Sequence, residues 1–153
     1  DTYGHEAGES VYLTDGTSAE LSVANNRRLL ERSLRHSVET LVGLGKHVWI
    51  VAPVPEIGWD VPSVLARAAR FERPPPVAPS RADYDSRQSF VAPLLLELDS
   101  LPGVEVLRPE AVLCPQGRCA IVSDGRPLYF DSHHLSLHGA TLLEPMFGTV
   151  FAR

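Results

Sequence analysis

Gly45-Lys-His-Val-Trp-Ile-Val-Ala-Pro-Val-Pro55 is the stretch on which the fold class turns. Residues 47–52 form a continuous run rich in apolar and β-branched side chains, ended by Pro53 and Pro55. This composition predicts a buried parallel strand. Upstream, Leu30, Leu34, Val38, Leu41 and Val42 recur at helical spacing, Arg and Glu take the opposite face, and Gly45 supplies the stop. Helix, glycine, strand is half of an α/β unit, and the loop leaving the C-terminal end of such a strand is where these folds hold ligands.

Working outward, Asp60 followed by Val61 and Pro62 has the pattern of an N-cap with proline in the first turn, which predicts a short helix through Phe71. Arg73-Pro-Pro-Pro76 stops it, and the Pro- and Ser-rich stretch 72–82 is expected as an exposed excursion. Phe90, Val91, Leu94, Leu95 and Leu98 form an apolar stripe, with a kink expected at Pro93 and a stop at Gly103. Val104–Leu107 is a second strand candidate, and Pro109–Leu113 adds a helical turn. Ala120-Ile-Val, Asp124-Gly125 and Pro127–Phe130 then carry the signature of a hairpin with a tight turn. Ser136 is expected to cap a final helix running through Leu142, Leu143, Met146, Phe147 and Val150. Residues 1–17 have no sustained period and predict an irregular entry segment.

With 153 residues and 44% hydrophobic content, the expectation is one domain over 1–153. The net charge of -5, without a run of Lys or Arg, offers no footprint for a phosphate backbone, so no nucleic-acid partner is expected. No apolar run is long enough to span a bilayer. The chain begins at Asp1 without Met, as expected of a mature or excised piece.

The chemistry concentrates in Asp131-Ser-His-His134-Leu-Ser-Leu-His138. A general base acting on a serine hydroxyl needs an imidazole held in one tautomer by a carboxylate. Asp131 and His134 offer that pair between a strand and a helix. Two other readings fit the spacing: solvated histidines beside an aspartate that merely ends a strand, or a zinc site using His134 and His138. For the zinc reading the sequence does not identify a third ligand or a second shell, and neither metal nor cofactor is expected. Cys114 and Cys119 flank Pro-Gln-Gly-Arg, a loop short enough for a disulfide. Two free buried thiols fit the same spacing, which does not fix oxidation state. A disulfide would imply an oxidising compartment.

Leu128-Tyr-Phe-Asp131-Ser-His-His134-Leu-Ser-Leu-His-Gly139-Ala140 resembles the last block of SGNH hydrolases, especially those attached to membrane O-acyltransferases that acylate bacterial surface glycans. Lys46–Glu56 is similar to that family's central strand and loop, and the Cys114–Cys119 segment is similar as well. The resemblance runs from about Leu29 onward. It implies a three-layer αβα fold with a largely parallel sheet, lacking here the N-terminal strand and nucleophile block. It also implies that His134 is the catalytic base and Asp131 its orienting acid. The family's Gly-Asp-Ser nucleophile block does not occur in this sequence. Gly8-Glu9-Ser10 is the nearest imitation, but no apolar strand precedes it, as a nucleophile elbow requires. Asn25 and Asn26 lack the Gly-x-Asn context of an oxyanion loop.

The implied function is part of an acyltransferase or acylesterase, extracytoplasmic and tethered to a membrane domain. Its partners would be an acyl donor and a glycan acceptor, and the isolated chain is expected to be inactive. The alternative is a non-catalytic glycan-binding or structural module, for which Trp59 is a better sugar platform than Trp49, which sits within the strand. A sheet edge left bare by a missing strand invites pairing with a second copy, so a homodimer is a further expectation.

Overall fold

The computed structural model describes residues 12–16 and 20–152. Along the chain run α1 (Val23–Gly43), β1 (Val48–Val51), α2 (Val61–Phe71), α3 (Arg81–Arg87), α4 (Val91–Asp99), β2 (Val104–Leu107), α5 (Pro109–Leu113), β3 (Val122–Ser123), β4 (Arg126–Pro127), α6 (Leu137–Leu143), a 3-10 turn (Glu144–Phe147) and α7 (Gly148–Phe151). The fold is α/β. β1 pairs with β2, and the N–H groups of Val48 and Ala52 donate to the carbonyls of Gly103 and Leu107 at 2.8 Å each, a register that advances in the same direction on both strands and is therefore parallel. Among the described residues the parallel sheet has two strands, smaller than the sequence predicts. No described helix is long and apolar enough to cross a membrane.

The described residues fall into two compact units. One takes 89–106 and the described residues up to 50. Its core is Val38, Leu94, Leu98 and Val104, with Leu34, Val42, Val48, Ile50 and Leu101 packed against them. Ser22 caps α1 by accepting from the Asn25 N–H at 3.0 Å. Asn25 is buried, donating to the Glu20 carbonyl and accepting from Arg28, so it serves the helix start and not an oxyanion. Leu29 and Val38 are buried, whereas Leu30 and Leu41 of the predicted stripe are exposed. The strand predicted as buried is only half-buried, and Val51 is 48% exposed. α4 starts at Val91, so Pro93 lies in its first turn, where a backbone N–H has no helical acceptor to lose.

The other unit takes 51–88 and 107 onward. Its core is Ile57, Val61, Leu113, the Cys114–Cys119 disulfide, Leu128, Tyr129 and Leu143. Asp60 caps α2 by accepting from the Ser63 N–H at 2.8 Å, as the sequence predicts. The predicted excursion 72–82 ends by entering α3, a helix the sequence did not predict, started by a capping box in which the Ser80 and Asp83 side chains each bond the other's backbone N–H. The disulfide loop is stitched to the segment ahead of α3: the Cys119 N–H donates to the Pro79 carbonyl and Arg118 to that of Ala78. β3 and β4 form the predicted hairpin, with Val122 opposite Pro127 and both loop residues at positive φ, Asp124 at 49° and Gly125 at 72°. The final helix departs from prediction. It ends at Leu143 and gives way to the 3-10 turn, because Pro145 has no N–H to continue the ladder.

Candidate active site

The chain leaves β4 through Leu128 and Tyr129, both fully buried, and turns at 130–134 before α6. The turn is closed by its own backbone. The Phe130 N–H donates to the His134 carbonyl at 3.0 Å, and the Ser136 N–H to that of Leu128 at 2.9 Å. The loop after β1 holds it from outside: Ile57 N–H donates to the Ser132 carbonyl at 2.8 Å and Val61 N–H to that of Asp131 at 3.2 Å. The side on which the sequence predicted a ligand loop is thus the side that clamps the turn. Tyr84 of α3, which sequence reasoning missed, steadies that loop through its hydroxyl, which donates to the Pro53 carbonyl at 3.0 Å. Arg87 of the same helix pairs with Glu56.

On this frame Asp131 uses both carboxylate oxygens. Oδ1 accepts from the backbone N–H groups of His133 and His134 at 2.8 and 2.7 Å, and Oδ2 lies 2.6 Å from Nδ1 of His134. The two backbone donors, then the imidazole, hold the Asp131 carboxyl far below its ordinary range. Asp131 is therefore ionised at neutral pH. Asp60 is also held low, by Ser63 at its cap, although the Asp131 charge works against this. The His134 side chain is 58% exposed and that of Asp131 28%, so the imidazole borders solvent while its carboxylate partner is more sheltered. Phe130 stacks on the His134 ring, with centroids 5.4 Å apart and planes 18° apart.

Ser136 caps α6, accepting from the Gly139 N–H and donating to the Pro127 carbonyl at 2.8 Å. Gly139, within the block that carries the family resemblance, is required for a steric reason. A Cβ there would lie 2.1 Å from the Leu128 carbonyl oxygen. Its signal was available in the Ser-x-x-Gly spacing directly after the His-containing turn.

The structure brings Asp131 and His134 together and separates His138 from them, since the Nε2 of His138 is 3.0 Å from the Ser123 carbonyl of the hairpin. His133 joins the pair instead. Its ring centroid is 4.0 Å from that of His134, and its Nδ1 is 3.8 Å from Asp131 Oδ1 and 2.8 Å from the Ser132 hydroxyl. Trp59 is partly buried and packs against the core. Gly8-Glu9-Ser10 lies outside the described residues.

A family model described as the SGNH domain (fused to AT3 domains) matches residues 2–149. This chain belongs to that family. The SGNH domain has the same fold as the periplasmic domain of the lipopolysaccharide acetyltransferase of Salmonella ser. Paratyphi A, with a TM-score of 0.59 at 19% identity over 87% of this chain. It spans 52% of the length of that structure. No curated protein matches the SGNH domain in sequence.

Proposed function

We propose that this SGNH domain supplies the general base, His134, and its orienting carboxylate, Asp131, to a Ser-His-Asp O-acyltransferase or acylesterase acting on bacterial surface glycans. The observation that carries the reading is the 2.6 Å contact between Asp131 Oδ2 and His134 Nδ1, with Oδ1 fixed by two backbone donors. Such a carboxylate keeps the ring proton on Nδ1 and leaves Nε2 bare. In the proposed reaction Nε2 takes the proton of a serine hydroxyl as that oxygen attacks the acyl carbonyl. The tetrahedral adduct then expels the donor's leaving group, which takes up the proton from Nε2, and an acyl-serine remains. A sugar hydroxyl or water repeats the cycle, deprotonated by the same nitrogen as it attacks the acyl-serine.

The serine comes from polypeptide outside these 153 residues, which contain no Gly-Asp-Ser. The whole of 1–153 acts as one partial SGNH domain, a view supported by the continuous family match over 2–149. The domain works outside the cytoplasm beside an acyltransferase membrane domain. Its buried disulfide, the fusion in the family's description and the periplasmic origin of the structural neighbour support this.

Two measurements test the proposal. The isolated chain is expected to hydrolyse para-nitrophenyl acetate at background rate, and turnover well above background that His134→Ala abolishes would mean the nucleophile lies within it. In the full-length protein, His134→Ala and Asp131→Asn are each expected to lower acyl transfer by roughly 10³–10⁴-fold, with the thermal unfolding midpoint at neutral pH nearly unchanged in His134→Ala and lowered in Asp131→Asn, which loses the charge its turn favours. Transfer undiminished in either variant would refute the assignment of that residue.

A further inference from the structure

The turn that orients His134 also gathers a second imidazole, and the catalytic reading makes no use of it. Asp131, His133 and His134 each present a ligand atom, all within 4.8 Å of one another. The carboxylate faces both rings, with Oδ2 2.6 Å from Nδ1 of His134 and Oδ1 3.8 Å from Nδ1 of His133. A tetrahedral zinc site needs donor atoms about 3.3 Å apart, given metal–ligand bonds of about 2.0–2.1 Å. The His133 side chain is 41% exposed and its Nδ1 is held by one hydrogen bond, 2.8 Å to the Ser132 hydroxyl, which a metal would have to displace. The backbone bonds that close the turn pre-assemble the trio, which lowers the entropic cost of chelation.

We infer that Asp131, His133 and His134 form a chelating site for a borderline-soft divalent cation, Zn2+ above all, and that filling it silences His134 as a base. Two imidazoles and one carboxylate with open positions for water suit zinc or copper. Magnesium and calcium want oxygen donors throughout. The inhibitory half rests on the proposed role of His134. Nδ1 cannot hold both its proton and a metal. Once Nδ1 is metallated, the neutral ring carries its proton on Nε2, the nitrogen that must be bare to accept one from an alcohol. The cation also takes the carboxylate away from the imidazole. His138 has no part, since its Nε2 is engaged with the Ser123 carbonyl.

The test begins with the untagged, chelator-stripped chain titrated with ZnCl2 by calorimetry. One saturable site is expected, weakened at least about tenfold in His133→Ala and unchanged in His138→Ala. Absence of saturable binding, or equal binding by His133→Ala, overturns the site and leaves the triad reading standing. In the full-length protein, zinc is expected to inhibit acyl transfer and EDTA to restore it. The half-inhibiting concentration should rise at least about tenfold in His133→Ala, each protein being compared with its own rate in chelator. Zinc that binds the chain yet leaves transfer untouched overturns the inhibitory half and counts against His134 as the base.

Discussion

The turn at 130–140 and the α1–β1 segment both join a helix to a strand, yet they solve opposite problems. In the turn, a few polar residues satisfy one another within a span of eleven, and the neighbouring loop adds backbone donors to its carbonyls. In α1–β1 the sequence is more apolar than its surroundings allow. Leu30, Leu41, Leu44 and Val51 stay exposed, Leu44 to 68%, and the described residues provide no third strand for the sheet. The difference teaches where local sequence is sufficient. A hydrogen-bonded turn carries its own partners, whereas an apolar stripe takes its meaning from whatever covers it.

The sharpest way to break this contrast is at Gly139. Placing a methyl group 2.1 Å from the Leu128 carbonyl forces backbone to move, so Gly139→Ala is expected to cost about 3 kcal/mol in urea unfolding of the chain. A loss below about 1 kcal/mol would mean that the turn yields more easily than its bonding suggests.

Acid provides a second probe, aimed at Asp131. Its folded carboxyl titrates below its ordinary value, so the stability it contributes is complete above pH of about 4 and fades as pH falls through the lower folded value. The unfolding midpoint of the chain should therefore drop more between pH 5 and pH 2.5 than that of Asp131→Asn. Asp60 and Asp83, both lowered by their cap bonds, leave a shared acid sensitivity in the two proteins. Equal drops would show that the turn's bonds do not favour the charged form.

The smallest effect is expected on the other side of the comparison. Leu41→Ala removes an exposed side chain from α1 and installs a better helix former, so the chain's stability should change by no more than about 0.5 kcal/mol. A loss of 2 kcal/mol or more, the range for a buried leucine, would mean that α1 is covered after all.

The same contrast explains what could be read from the chain in advance. The Asp60 cap, the Asp124-Gly125 hairpin and the Ser136 cap are decided by neighbours within three or four residues, and the structure has each of them. So is the meeting of Asp131 with His134, three positions apart. The failures were of two kinds. α3 went unread because its capping box uses Asp83, where glutamate or glutamine is the familiar signal, and because it follows a proline run. The burial of β1, the partial burial of Trp59 and the engagement of His138 with the Ser123 carbonyl depend on contacts between distant segments, which periodicity does not encode.

The bonds from Ile57 and Val61 to the carbonyls of Ser132 and Asp131 have a consequence for how such a domain can diversify. They fix the span of chain between β1 and α2 as a measuring rod for the imidazole. An insertion or deletion in 53–60 would slide the rod and carry the ring with it. Natural or engineered variation in length belongs instead in 73–77, between the end of α2 and the stitched segment ahead of α3, where added residues can bulge outward and leave the ring where it stands.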